Sequence, residues 1–170
     1  MAIQIKAIKP PRINPQAYQD VMLKELGYQA DQVMRLYILV TRTWKHRPKF
    51  RVDFQFDDRP VSAGGGAGYA VTTDDPIFHY VDQGTRPHTI RARRGGLHAF
   101  QSKFSPKTRR RVLGSRQGSR SGSLVRPKEV RHPGTQAREF TQEIQKRRRN
   151  PFFNAMKKAH TKGLRAARKG

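Results

Sequence analysis

Between residues 15 and 45 the apolar positions Tyr18, Val21, Met22, Leu26, Ala30, Val33, Met34, Tyr37, Val40 and Trp44 recur three and four apart, the period of one buried helical face. Asn14-Pro15 supplies the start, since an Asn side chain caps free backbone N–H groups and proline suits the first helical position. Arg47-Pro48 ends the helix, because a proline disfavours helical geometry in the residue before it. Gly27 is a weak point inside it. From Phe50 to Phe56 the period changes to two, with Phe50, Val52, Phe54 and Phe56 on one side and Arg51, Asp53 and Gln55 on the other. This alternation predicts a half-buried strand.

Asp57-Asp58-Arg59-Pro60 and Gly64-Gly65-Gly66 read as turn and flexible linker, and Tyr69 to Thr73 reads as a second strand. Asp75-Pro76 opens a segment, Ile77 to Val81, long enough for one or two helical turns. Residues 105–123 are Ser, Gly, Arg and Lys with little apolar content beyond Val112 and Leu113, the composition of a loop or arm disordered in isolation. Leu124 to Arg131 is a candidate strand leaving it. Arg138 to Arg149 predicts a helix ending in four consecutive bases. Asn150-Pro151 then repeats the cap-and-proline start of residue 14, predicting a separate last helix that carries Phe152, Phe153, Met156, Ala159 and Leu164.

Apolar residues, glycine not counted, make up 35% of the 170, below the roughly 45–50% of globular chains on a count that includes glycine. One folded unit with extensions is the expectation: residues 1–13 as an N-terminal extension, 91–131 as a basic arm, 150–170 as a basic C-terminal helix or tail. The charge is lopsided. Of 36 lysines and arginines, 25 lie between Arg86 and Lys169, against only Glu129, Glu139 and Glu143. The first 83 residues carry 11 bases and nine acids, so the net charge is +2 in the first half and +22 in the second. Such asymmetry calls for a polyanion, an acidic protein surface, or an assembly whose neighbours offset self-repulsion.

Candidate chemistry is sparse. With no cysteine, disulfides and thiolate metal sites are excluded. His46, His79, His88, His98, His132 and His160 form no metal-binding pair, although His79, His88 and His132 could converge in space. Asp53, Asp57, Asp58, Asp74, Asp75 and Asp82 could be imagined as a magnesium-dependent nuclease set, but several sit where turns and helix caps want aspartate anyway. Gly64 to Gly68 lacks the Gly-Lys-Ser/Thr ending of a phosphate loop. No catalytic residue, cofactor or metal is therefore assigned. No apolar run approaches the roughly 18 residues that span a bilayer, and the first twelve residues lack a signal-peptide core. A chain made in the cytoplasm, without a membrane anchor, is expected.

Arg91, Arg93, Arg94, Lys103, Lys107, Arg109, Arg110, Arg111, Arg116, Arg120, Arg126, Lys128 and Arg131 run without an acid until Glu129. Lysine and arginine neutralise phosphates irrespective of sequence, so DNA or an acidic partner could be contacted here. No recognition-helix or zinc-finger signature accompanies the charge.

Two short segments bracket this arm: Tyr80-Val81-Asp82-Gln83-Gly84-Thr85 and His132-Pro133-Gly134-Thr135-Gln136-Ala137-Arg138-Glu139-Phe140. Each carries a Gly-Thr, where glycine allows positive φ and threonine can cap the next stretch of chain. In this order, after a long N-terminal helix, the pair resembles the tail-completion family of long-tailed bacteriophages, small neck proteins that join tail to head. That family runs a short apolar segment into Glu-x-Gly-Thr, then a variable loop, then a His-Pro-Gly-Thr-like turn leading into a phenylalanine-bearing helix. Here Asp82 replaces the glutamate, and Glu139 stands where a proline is often found before Phe140. The motifs cover about Asp75 to Phe140.

The resemblance implies an α+β protomer: a small, mostly antiparallel sheet packed against the long N-terminal helix and C-terminal helices, with an extended basic loop. It implies a homohexameric ring in the virion neck, around the channel through which DNA leaves the capsid, between connector proteins and the tail terminator or tail tube. Asp82, Gly84, Thr85, His132, Pro133, Gly134, Thr135 and Phe140 would shape the turns. Arg91, Arg93, Arg94, Lys107, Arg109, Arg110, Arg111, Arg116, Arg120 and Arg126 would face DNA or clasp an adjacent ring. The rival readings are a free, sequence-independent nucleic-acid-binding protein and, last, a metal-dependent nuclease.

Overall fold

The computed structural model describes residues 14–59, 65–91, 98–114 and 118–168. The expectations for the extension 1–13, Gly64, Arg93, Arg94, Arg116 and the last two residues lie outside them. The chain is α+β, with three helices and three two-stranded sheets among the described residues. The elements are α1 (Pro15–Thr41), β1 (Arg51–Asp57), β2 (Gly66–Thr72), α2 (Pro76–Gln83), β3 (His88–Arg91), β4 (Phe100–Ser105), β5 (Ser119–Val125), β6 (Glu129–His132) and α3 (Phe140–Ala167). β1 pairs with β2, while β3–β6 and β4–β5 are antiparallel.

α1 begins as expected, with Asn14 Oδ1 accepting from the Ala17 amide at 3.2 Å. It stops at Thr41, four residues before the predicted end, because the Trp44 amide turns back to the Thr41 carbonyl at 2.9 Å and the Thr41 hydroxyl bonds to the Tyr37 carbonyl. That turn leaves the Trp44 ring 6.3 Å from Phe78, on the core.

The chain divides into two compact units. One comprises residues 14–29, 54–59, 65–69 and 150–168 of the described chain. Here the start of α1 lies beside the end of α3: the Asn14 amide donates to the Ala167 carbonyl at 2.9 Å, and the Tyr18 hydroxyl is hydrogen-bonded to His160 Nδ1 at 2.8 Å. Gly163 is what admits the Tyr18 ring, since a Cβ there would stand 2.8 Å from it.

The other unit comprises residues 30–53 and 70–149. Its core is Tyr37, Val40, Phe78, Phe140 and Ile144, with Phe50, Trp44, Val71, Val81 and Leu113 packed against it. Tyr37 stacks on Phe50 at 5.1 Å, and Phe78 meets both edge-on.

Four sequence expectations need correction. Phe54 and Phe56, expected on a half-buried face, are 53% and 71% exposed. Alternation sets which residues share a face, but among the described residues β1 pairs only with β2, and its burial falls off from Phe54 to Phe56. The stretch 105–123, expected as an unstructured arm, is partly the β4–β5 hairpin, whose main-chain ladder needs no apolar side chains. The strand expected over 124–131 is split between β5 and β6 by Arg126-Pro127-Lys128, since Pro127 has no amide to contribute to a ladder.

Finally, Asn150-Pro151 does not begin a new helix. Pro151 lies inside the continuous α3, which starts at Phe140 rather than Arg138. An interior proline costs about 3 kcal/mol. The helix nevertheless continues because it is buried before the proline, at Phe140 and Ile144, and after it, at Ala159 and Ala167. The unit boundary falls at this same Arg149–Asn150 step.

Candidate functional site

The two Gly-Thr segments that the sequence singles out form a single clasp. α2 is opened by Asp75, whose Oδ1 accepts from the Phe78 amide at 2.8 Å, and it ends at Gly84 with φ +81°. Thr85 and Thr135 form an antiparallel bridge: the Thr85 amide donates to the Thr135 carbonyl, and the Thr135 amide to the Thr85 hydroxyl, both at 2.9 Å. Each glycine makes room for the opposite segment. A Cβ on Gly84 would stand 2.6 Å from the Thr135 carbonyl oxygen, and one on Gly134 (φ +88°) 2.2 Å from that of Thr85. His132 closes the second turn by accepting from the Gly134 amide at its Nδ1, 3.1 Å away.

Asp82 ties the clasp to α3. Its carboxylate is buried and accepts from the Phe140 amide, the Thr141 amide at 3.2 Å and the Thr141 hydroxyl at 2.6 Å. It therefore caps α3 from 58 residues away, filling the role a local N-cap side chain usually takes. The Asp82 carbonyl accepts from the amides of Arg138 and Glu139 at 3.1 and 3.0 Å. The Tyr37 hydroxyl donates to Thr141 Oγ1 at 3.3 Å. Burial pushes that hydroxyl's pKa up, Asp82 adds to the rise, and the Thr141 bond opposes it.

Glu139 occupies a position that the geometry closes to proline. Its φ is +57°, which proline cannot reach, and its amide donates to the Asp82 carbonyl, which proline cannot do. Its carboxylate is held by Arg110 and Arg111, which pull its pKa below the ordinary 4.5 against the opposing effect of burial. The Arg111 amide also donates to the Arg138 carbonyl at 2.8 Å. Residues 106–114 are thus docked: Thr108 is buried, Leu113 reaches the core, and Lys107 Nζ donates to the Thr43 carbonyl at 3.1 Å.

β3 and β6 rise from the two turns. His88 faces His132 across the ladder with ring centroids 5.0 Å apart, and Arg91 pairs with Glu129 at 3.1 Å. His79 instead donates to the Thr73 carbonyl, so the three histidines do not converge. The aspartates also disperse: Asp53 accepts from Arg51 and Thr72, Asp57 pairs with Arg59, Asp74 with Arg51, and Asp75 with His46. Burial pushes the Asp75 pKa up, but the bonds from His46 and the Phe78 amide outweigh it and hold the carboxyl below its usual range. Among the described residues no group of three His, Cys, Asp or Glu side chains could hold a metal ion. Nor, among them, is any helix long and apolar enough to cross a membrane.

Sequence reasoning singled out both turns but not their mutual contact. It also missed Thr141, Arg138 and the docking role of Arg110 and Arg111. The visible signal was Glu139, an acid inside a basic stretch. Comparisons of the chain with protein-family models, curated proteins and solved structures found no match.

Proposed function

We propose that this chain is a structural protein of a tailed-bacteriophage virion, a tail-completion protein. Its copies form a ring, a homohexamer, at the head–tail interface, joining the tail to the capsid connector around the DNA channel. The observation that carries this reading is the clasp. The two motifs on which the family resemblance rests, Asp82-Gln83-Gly84-Thr85 and His132-Pro133-Gly134-Thr135, interlock through Gly84 and Gly134 and tie to the start of α3 at Phe140. The clasp roots β3–β6 and the basic segment between them in the core, a mounting suited to a projection that meets a neighbour.

Two further features support an assembled state. Phe54 and Phe56 are more than half exposed, and large exposed apolar side chains are commonly covered at interfaces. A chain with net charge +24 also gains from neighbours that supply counter-charge. The adjacent partners are connector and tail terminator or tail tube proteins, and no catalysis or cofactor is assigned.

The test is direct. Phage lacking this protein should accumulate unjoined heads and tails, and the purified full chain should form closed rings by electron microscopy. Normally joined, infectious particles without it would sink the proposal. The rival reading, a free nucleic-acid-binding protein, predicts a monomer that binds any duplex in a salt-sensitive way.

A further inference from the structure

Thirteen lysines and arginines and no acid lie in the stretch from Gly84 to Lys128, but the fold does not leave them equivalent. Arg110 and Arg111 hold Glu139, Arg91 holds Glu129, and Lys107 holds the Thr43 carbonyl. Those four are occupied within the protomer. The six others that are described, Arg86, Arg109, Lys103, Arg120, Arg126 and Lys128, are exposed and have no acidic partner among the described residues, and the last four cluster along one ribbon. All four lie on the β4–β5 hairpin or immediately after it.

We infer that the β4–β5 hairpin is a DNA-contacting ribbon that binds the duplex backbone through Lys103, Arg120, Arg126 and Lys128, while Arg110 and Arg111 take no part. The ladder pairs Lys103 with Ser121 and Phe104 with Arg120, so Lys103 and Arg120 project from opposite faces. A ribbon lying in a groove has phosphate chains on both sides, and a two-stranded ribbon fits the major groove of B-form DNA. The remaining composition suits the same partner. Ser102, Ser119, Ser121 and Ser123 offer hydroxyls, and serine hydroxyls and backbone amides are, with Lys and Arg, the usual phosphate ligands. Gly122, at φ +85°, accommodates the register shift opposite Ser102, where a Cβ would stand 2.3 Å from the Ser102 hydroxyl. An acidic protein is the competing occupant, but the serine-rich, acid-free hairpin offers it few apolar anchors beyond Phe100, Phe104 and Leu124.

The inference rests on the ring reading for the source of the DNA, the genome in the channel; the contact itself is measured separately. Each neutralised phosphate contributes about −0.9 to the slope of log affinity against log salt, so four cations contribute about −3.6. The experiment titrates the full chain with a random-sequence duplex between about 50 and 200 mM salt. Three proteins are compared: wild type, the hairpin variant K103Q/R120Q/R126Q/K128Q, and the helix variant K157Q/K158Q/K162Q/R165Q, which removes the same charge from α3. The expected result is a slope about 3–4 units shallower for the hairpin variant, so that between about 50 and 200 mM salt the wild type loses about two orders of magnitude more affinity than this variant does, and a change of less than about one unit for the helix variant. Equal losses in both variants would reduce the effect to bulk charge and overturn the assignment. A wild-type slope in the hairpin variant would overturn it in favour of an acidic protein partner. Circular dichroism melts verify that both variants fold. Particle mass for wild type decides the ring reading independently, so a monomer with the expected slopes refutes the ring and leaves the DNA contact standing.

Discussion

Gly134→Ala tests the clasp at its tightest point. The added Cβ would stand 2.2 Å from the Thr85 carbonyl oxygen and 3.0 Å from the Arg86 carbonyl carbon, on a residue at φ +88°. The backbone conformation alone costs about 1–2 kcal/mol for a residue with a Cβ. The segments must also part by close to an ångström, which sacrifices the two 2.9 Å bonds between Thr85 and Thr135, worth about 1 kcal/mol each net. The expected loss is about 3–4 kcal/mol, a large fraction of the roughly 5–15 kcal/mol that holds a domain folded. Urea unfolding would show it as a midpoint lowered by about 1–2 M at unchanged m. Gly68→Ala is the control, because a Cβ there meets nothing within 4 Å and φ is not positive. It should be neutral or stabilising by up to about 1 kcal/mol. A loss at Gly134 below about 1 kcal/mol, or equal losses at both positions, would refute the clasp as the origin of the motif.

Asp82→Ala should cost about 2–4 kcal/mol, combining a lost helix cap with a Thr141 O–H left without an acceptor; thermal denaturation measures it, and a change within about 0.5 kcal/mol would contradict the long-range cap. Pro151→Ala should stabilise, by up to about 3 kcal/mol, since it restores an amide inside a continuous helix; destabilisation would mean that α3 is broken there. Acidification should release residues 106–114. Glu139 has a folded pKa lowered by Arg110 and Arg111, so its contribution is present above the ordinary 4.5 and is lost as pH falls through the lowered value. Hydrogen exchange at Arg111 should rise over that range in wild type, and in Glu139→Gln it should be raised already at neutral pH.

Much of the secondary structure was legible because it rests on local rules. The α1 period and its Asn14-Pro15 cap, the β1 alternation and the Asp75-Pro76 start of α2 were all readable within a few residues of their ends. The failures share a cause. The Asn150-Pro151 signal matches that at Asn14-Pro15, yet burial on both sides of Pro151 keeps α3 continuous. The start of α3 was placed two residues early, at Arg138, because its cap, Asp82, is 58 residues distant. The β4–β5 ladder escaped notice because main-chain pairing leaves little trace in a Ser, Gly and Arg composition.

By itself the sequence determined which segments are helical and which extended along much of the chain, the charge asymmetry, and the two Gly-Thr segments as turns. Those rest on periodicity, on counting, and on glycine's access to backbone that other residues avoid. Only the tertiary structure decided what the glycines and the charges are for. Gly84 and Gly134 proved to be one contact, because each lacks a Cβ where the other segment passes. Part of the basic stretch proved to be paired within the protomer, because Glu129 and Glu139 bind Arg91, Arg110 and Arg111, while Lys103, Arg120, Arg126 and Lys128 have no acidic partner among the described residues. Charge can be counted along a chain, but which charges are neutralised depends on which carboxylates the fold brings beside them.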